Sequence, residues 1–314
     1  MNEFKTVLLA VLPVFGIVVI GIFMRKWNWL TEEADKSLLR VTVNVLAPCL
    51  IFSSILQNQA LKQIETLALA PVVGFGTVAL GMGVAFALNK ISGLRERKSI
   101  STFIVCVGLY NYGYISVPLA RSLFDRETIG VLFVHNIGVE IALWTLVVMM
   151  LSGSKAGMWQ KIFNPPVLAV VLTVPLNFLQ GDQWIPQFVL VTIKMLGECA
   201  IPMGIILIGA TMADHLHEFH SASGWRVIFA SCLLRAGVLP FLFLVLAKYL
   251  PCSLELKRVI VLQSAMPTAT FAIIMAKHYG GDAATALRAV IATSVIGLIT
   301  IPLWIRFGIK FVGL

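Results

Sequence analysis

The residues of this chain that could do chemistry are few, and most sit inside long apolar runs. The densest group is Gly108-Leu109-Tyr110-Asn111-Tyr112-Gly113-Tyr114-Ile115-Ser116-Val117-Pro118, within an apolar run over residues 100–124. The Asn111 amide donates two hydrogen bonds, which suits an anion. Pro118 lacks an N–H and disfavours helical geometry at Val117, while Gly113 lowers the cost of non-helical backbone angles. A break in the helix is therefore expected here. Broken backbone at membrane depth survives only where protein or a water-filled cavity satisfies it, and it marks the substrate sites of secondary transporters. The N–H groups of a half-helix starting near Pro118 would add a positive dipole end for an anion. The structural alternative is a proline kink with Asn111 bonded to a neighbouring helix. A second group, Gln263-Ser264-Ala265-Met266-Pro267-Thr268-Ala269-Thr270, lies in the run over 256–278. Gln263, Ser264, Thr268 and Thr270 offer similar partners around Pro267. For the hydroxyls, the alternative is a bond to the preceding helical turn or a packing contact.

Ionisable groups inside apolar runs are rare and mark function by default. Glu140 and Glu198 are two such acids with no basic neighbour close in sequence. Either could couple transport to a proton or a sodium ion. The rival reading is a structural ion pair with Arg235 or Lys194. Asn136 lies one turn before Glu140 on the same helix face, and His135 adjoins it. His215, His217 and His220, with Asp214 and Glu218, form a polar run that suits a transition metal and equally an ordinary loop. No metal site is assigned to it.

The elements that must position these groups follow from composition. Of 314 residues, 59% are hydrophobic and 12% charged, which indicates an all-α polytopic membrane protein. Apolar runs of membrane-crossing length occur near 6–24, 38–57, 66–89, 100–124, 128–151, 164–181, 185–212, 225–249, 256–278 and 284–312. These predict ten transmembrane helices. The first run is long for a signal peptide and lacks a small-residue cleavage site before Arg25, so it is counted as a helix. The net charge of +9 resides mostly in short loops, where it orients helices and touches lipid headgroups, so nucleic-acid binding is not expected. The clusters Arg25-Lys26 and Arg95/Arg97/Lys98 share one side, which places both termini outside the cytoplasm. Cys49, Cys106, Cys199, Cys232 and Cys252 are scattered and read as small buried apolar residues, not ligands.

Laying the first five helices over the last five exposes an internal repeat. Helix 2 carries Asn44 four residues before Pro48, and helix 7 carries Glu198 four residues before Pro202. Helices 4 and 9 hold the two polar, proline-containing stretches. Five helices is an odd number, so the copies are inverted: residues 1–151, a short connection over 152–163, and residues 164–314. Interruptions at matching positions of inverted repeats point to a transport site.

These features together resemble the auxin efflux carrier family, the group that includes the plant PIN-type carriers and malate permeases, in a bacterial form. The resemblance rests on Asn44…Pro48, Asn111…Pro118, Asn164-Pro165-Pro166, Ile201-Pro202…Gly209, and Met266-Pro267 followed by Ala276-Lys277. It implies a scaffold of helices 1, 2, 6 and 7, dimerising in a bacterial inner membrane. It also implies a transport domain of helices 3–5 and 8–10, moving like an elevator, with broken helices 4 and 9 crossing at the substrate. Asn111 matches the asparagine that contacts the substrate carboxylate in the plant carriers. Gly113, Pro118, Gln263, Ser264, Pro267 and Thr268 would line the same site. Glu140 stands where the plant carriers have an amide, and a bare carboxylate there would repel an anion. The resulting expectation is a secondary active transporter of small organic anions, carboxylates above all, with no cofactor beyond a coupling proton or sodium ion. A membrane-embedded enzyme or a sensor built on His135, Glu140 and Glu198 is the alternative. No Walker motif or catalytic constellation accompanies those residues.

Overall fold

Among the described residues the apolar runs are helical except at two interruptions, residues 109–115 and 265–270. The computed structural model describes residues 3–153, 162–215 and 224–314. In chain order the helices are α1 (Glu3–Lys26), α2 (Glu32–Ile55), α3 (Ile64–Ala87), α4 (Arg97–Gly108), α5 (Ser116–Leu123) and α6 (Arg126–Ser152). Then follow α7 (Pro165–Phe178), α8 (Gln187–His215), α9 (Trp225–Tyr249), α10 (Leu254–Ser264), α11 (Phe271–His278) and α12 (Ala283–Val312). Among the described residues, seven helices (α1, α2, α3, α6, α8, α9 and α12) are long and apolar enough to cross a membrane singly. α7 is shorter, and the fourth and ninth apolar runs are each divided into two short helices.

Helix starts follow local chemistry. Asp125, Asn164, Ser253 and Asp282 cap α6, α7, α10 and α12 with side-chain oxygens that accept first-turn N–H groups. Apolar side chains point both inward and outward. In α1, Val7, Val11, Val14 and Val18 are buried, while Leu9, Leu12, Val19, Ile20 and Phe23 are exposed. A helix apolar on every face needs a hydrocarbon solvent outside the protein.

Glycine sets the closest approaches. A Cβ on Gly138 of α6 would stand 1.7 Å from the Pro71 carbonyl oxygen of α3. Cβ atoms on Gly21 and Gly209 would stand 2.3 and 2.2 Å from carbonyl oxygens of α8 and α1. Small residues at such interfaces let backbones touch where no hydrophobic drive operates. The most extensive packing joins α1 to α8, α2 to α7 and α8, α3 to α4 and α6, and α9 to α10 and α12.

The break in the fourth run differs in detail from the sequence expectation. The helix stops at Gly108 and resumes at Ser116, so Val117 and Pro118 are helical. Pro118 is the third residue of α5, where a first-turn N–H lacks an intrahelical acceptor anyway. The missing N–H therefore costs nothing there. Gly113 lies in the non-helical stretch, as expected, but without the left-handed backbone that glycine alone favours. Its φ is not positive, and a Cβ built on it meets nothing within 4 Å.

Candidate functional site

The two interruptions, residues 109–115 and 265–270, lie side by side and are joined through the backbone. Asn111 N–H donates to the Pro267 carbonyl at 2.8 Å, and Ala269 N–H donates to the Leu109 carbonyl at 2.9 Å. Tyr110 and Thr268 thus form an isolated antiparallel bridge. Each broken helix supplies the partners that the other's backbone has lost, as a buried break requires. Side chains add to this. Thr268 Oγ1 donates to the Cys106 carbonyl at the end of α4 (2.8 Å), and the Thr268 N–H donates to Thr293 Oγ1 of α12 (3.1 Å). Tyr110 is fully buried, and its hydroxyl pairs with Thr77 of α3 at 2.8 Å.

Asn111 uses its Oδ1 to accept the Ile115 N–H at 3.1 Å, which starts α5. Its Nδ2 has no acceptor among the described residues. The same is true of the Tyr112, Gly113, Tyr114 and Ser116 N–H groups on one side and of Thr270 and Phe271 on the other. The donors left at the paired interruptions are therefore of one kind, suited to a negatively charged or carbonyl oxygen.

The structure brings the remaining sequence candidates together in one network. Gln263 Nε2 donates to the Tyr112 carbonyl and to Asn136 Oδ1, both at 3.3 Å, and Asn136 Nδ2 donates to the same carbonyl at 2.9 Å. His135 Nδ1 lies 3.3 Å from Asn136 Oδ1. Because that oxygen already accepts, the imidazole is assigned as its Nδ1–H donor. Ser264 Oγ donates to the Val261 carbonyl of its own helix at 2.7 Å, the ordinary membrane-helix arrangement. Thr270 carries no side-chain cap at the start of α11.

Glu140 is the acceptor at the other end of this network. Its Oε1 accepts from the Tyr112 hydroxyl at 2.6 Å; its Oε2 accepts from Trp144 Nε1 at 2.9 Å and Asn164 Nδ2 at 3.0 Å. Three donors and, among the described residues, no cation surround the carboxylate. The ion pair weighed from sequence, with Arg235 or Lys194 as its base, does not form at Glu140. Glu198 is exposed on α8, within electrostatic range of Arg121 and away from the Glu140 network. Trp144 and Asn164 also line a cavity of about 370 Å³ with Phe271, Ile274, Met275, His278 and Tyr279.

Tyr112, Trp144 and Asn164 were not singled out from sequence as partners of Glu140. Asn164 carried a signal, as the residue before Pro165-Pro166. Arg235 did too, as a charge within an apolar run, but its partners are carbonyls: Met266 (2.7 Å from Nε), Gln263 and Ser264 (3.0 and 3.2 Å from Nη2). His217, His220 and Glu218 lie outside the described residues, as does the side chain of His215. Among the described residues no cluster of His, Cys, Asp and Glu could hold a metal ion.

Comparison with known proteins identifies the family of the chain. A family model described as "Membrane transport protein" matches residues 6–161 and 149–305, which together span nearly the whole chain. An "Uncharacterized transporter" of Methanothermobacter thermautotrophicus is 28% identical over 305 residues, covering 94% of this chain and 96% of the relative. The "Uncharacterized transporter MJ1031" of Methanocaldococcus jannaschii is 25% identical over 303 residues, with the same coverage of 94% and 96%. The chain is a multi-pass membrane protein that belongs to the membrane transport protein family, the auxin efflux carrier group that its motifs resemble.

Proposed function

We propose that this chain is a secondary active transporter of small organic anions, carboxylates above all, which binds its substrate where the two interrupted helices cross. The observation that carries the reading is the pair of interruptions, joined by backbone hydrogen bonds, with Asn111 Nδ2 and six N–H groups left as donors among the described residues. In this reading α4–α5 and α10–α11 are each one discontinuous span, which brings the total to ten. Helices α1–α6 and α7–α12 then correspond in order as inverted five-span repeats, residues 1–151 and 164–314, and the matched interruptions support that correspondence.

The packing supports a division into a scaffold of α1, α2, α7 and α8 and a transport domain of α3–α6 and α9–α12. The Glu140–Asn164 hydrogen bond and the seat of the Tyr114 ring against Gly204 of α8 would join the two parts. An elevator movement must break and remake both. Glu140 is the coupling candidate, since a proton or sodium ion on it would change its three hydrogen bonds. Exposed apolar residues of α7 and α8 (Val171, Leu172, Phe188, Val191, Met195) suit lipid or a second copy joined through the scaffold. Both termini lie on the non-cytoplasmic face of the cell membrane, opposite the Arg95/Arg97/Lys98 cluster.

The test is uptake of a panel of labelled carboxylates into proteoliposomes, wild type against Asn111→Ala. Uptake of one class by the wild type, lost in the variant, is the expected result. Uptake unchanged in the variant would move the substrate away from the interruptions.

A further inference from the structure

Arg235 is 1% exposed and makes no ion pair among the described residues. A buried charge is strongly unfavourable unless something specific balances it. What balances this one is the C-terminal end of α10. Nε donates to Met266, two residues beyond the end of that half-helix, and Nη2 to Gln263 and Ser264, its last two carbonyls. Those carbonyls carry the negative end of the helix dipole. The guanidinium also lies 5.0 Å from the centroid of the Tyr110 ring and 5.5 Å from that of Phe243, both favourable faces for a cation.

The backbone of α9 is adapted to this placement. Leu234–Val238 forms a π-helical turn, and the Ala236 carbonyl accepts from Trp304 Nε1 of α12 at 2.6 Å. Such single π turns inside α-helices are frequent at functional positions, and α2 and α6 carry one each over Thr42–Leu46 and Leu143–Val147. The opposite half-helix end is closed differently. There the Cys106 carbonyl of α4 accepts from a neutral hydroxyl, that of Thr268. The two otherwise matching ends thus differ by one positive charge.

In ion-driven carriers, carbonyls at unwound backbone and at half-helix C-terminal ends coordinate the coupling cation. Here three such carbonyls converge on a guanidinium. We propose that the C-terminal end of α10 is a monovalent-cation site that the chain fills with its own Arg235, so that the paired interruptions stay closed without an added ion. Arg235 is then a positioning residue, and any coupling ion acts elsewhere. This inference builds on reading the interruptions as the working centre, but its test does not use transport, so the two can fail separately.

The experiment is thermal unfolding of the purified full chain in sodium, millimolar guanidinium, or N-methyl-D-glucamine at constant ionic strength. Wild type, Arg235→Ala and Phe243→Ala are compared, the last as a large truncation in the same wall. The expected result is a wild-type midpoint indifferent to the cation. Arg235→Ala should show a lowered midpoint that guanidinium or sodium raises saturably, and Phe243→Ala a lowered midpoint that neither raises. An Arg235→Ala response no larger than that of Phe243→Ala, or one matched by the wild type, overturns the proposal. If Arg235→Ala cannot be recovered folded in any cation, Arg235→Lys and Arg235→Met decide. An ammonium can still serve the carbonyls and a thioether cannot, so the lysine variant must melt above the methionine variant, and the reverse order or equality overturns the proposal.

Discussion

Replacing Thr268 by Val tests whether the interruptions are held together by the contacts described above. The two side chains are nearly the same size and the site is fully buried, so no cavity opens. What is lost is the 2.8 Å bond from Oγ1 to the Cys106 carbonyl. A typical hydrogen bond contributes about 1 kcal/mol net, and a buried acceptor left unpaired costs roughly 1–3 kcal/mol. Measured values inside membranes are smaller, averaging about 0.6 with a maximum near 1.7 kcal/mol, because the unfolded chain also finds partners. The expected destabilisation is therefore about 0.5–1.5 kcal/mol, roughly a 2- to 13-fold change in the unfolding equilibrium. Thr268→Ser keeps the hydroxyl and loses only a methyl group. Unfolding of the purified protein in mixed detergent micelles, followed by circular dichroism, gives the comparison. Thr268→Val should be less stable than the wild type and should transport more slowly. A valine variant as stable as the wild type would refute the argument, since the hydroxyl would then contribute nothing to the pairing.

Other perturbations have equally defined outcomes. Gly113→Ala should leave stability almost unchanged, because its Cβ meets nothing within 4 Å, whereas Gly108→Ala should destabilise, with Met82 atoms at 2.4 and 2.8 Å from the new carbon; melting curves decide. Glu140→Gln can keep all three contacts if the Tyr112 hydroxyl turns to accept, so the fold should persist while the dependence of uptake on pH or sodium disappears. An unchanged dependence would exclude Glu140 as the coupling group. At Asp125, burial alone would raise the carboxyl, but the Thr128 amide and hydroxyl and the Arg258 guanidinium outweigh it and hold it below the usual carboxylate range. A depressed native pKa stabilises above the unfolded value near 4 and is lost as pH falls through the native value. Wild type should then exceed Asp125→Asn in stability at pH 7 and match it at strongly acidic pH, by a small margin because the side chain is 49% exposed. Arg95→Cys in a background without the five native cysteines should react with an impermeant thiol reagent from the cytoplasmic side only.

The large-scale plan was legible because it depends on a signal summed over many residues. Eight of the ten apolar runs are single helices among the described residues; the fourth and ninth are each divided in two, and Pro118 misled about where the fourth divides. A proline names a place where the helix interior cannot continue, but it is equally at home in a first turn. Only the partner strand shows which applies: the break spans residues 109–115 because Leu109 and Asn111 bond to Ala269 and Pro267, far away in sequence. The same limit applies to Gly113, whose smallness has meaning only beside open space. Asn111 and Glu140 were legible as polar residues at improbable positions. The partners of Glu140 were only partly so: Trp144 lies one turn further along the same helix, whereas Tyr112 and Asn164 come from separate segments and are unremarkable alone. Arg235 was visible as an anomaly and assigned to the wrong kind of partner, because sequence shows acids readily and converging carbonyls not at all.

The central claim, that the substrate occupies the paired interruptions, is tested most directly by protection at position 113. Gly113→Cys, in the cysteine-free background, places a thiol in the open space beside Asn111. The measurement is its rate of modification by a small methanethiosulfonate reagent, with and without the carboxylate that the wild type takes up fastest. The account predicts slower modification in the presence of that carboxylate, with no change at a thiol placed by Arg95→Cys. Equal rates at position 113 with and without a transported carboxylate would contradict it.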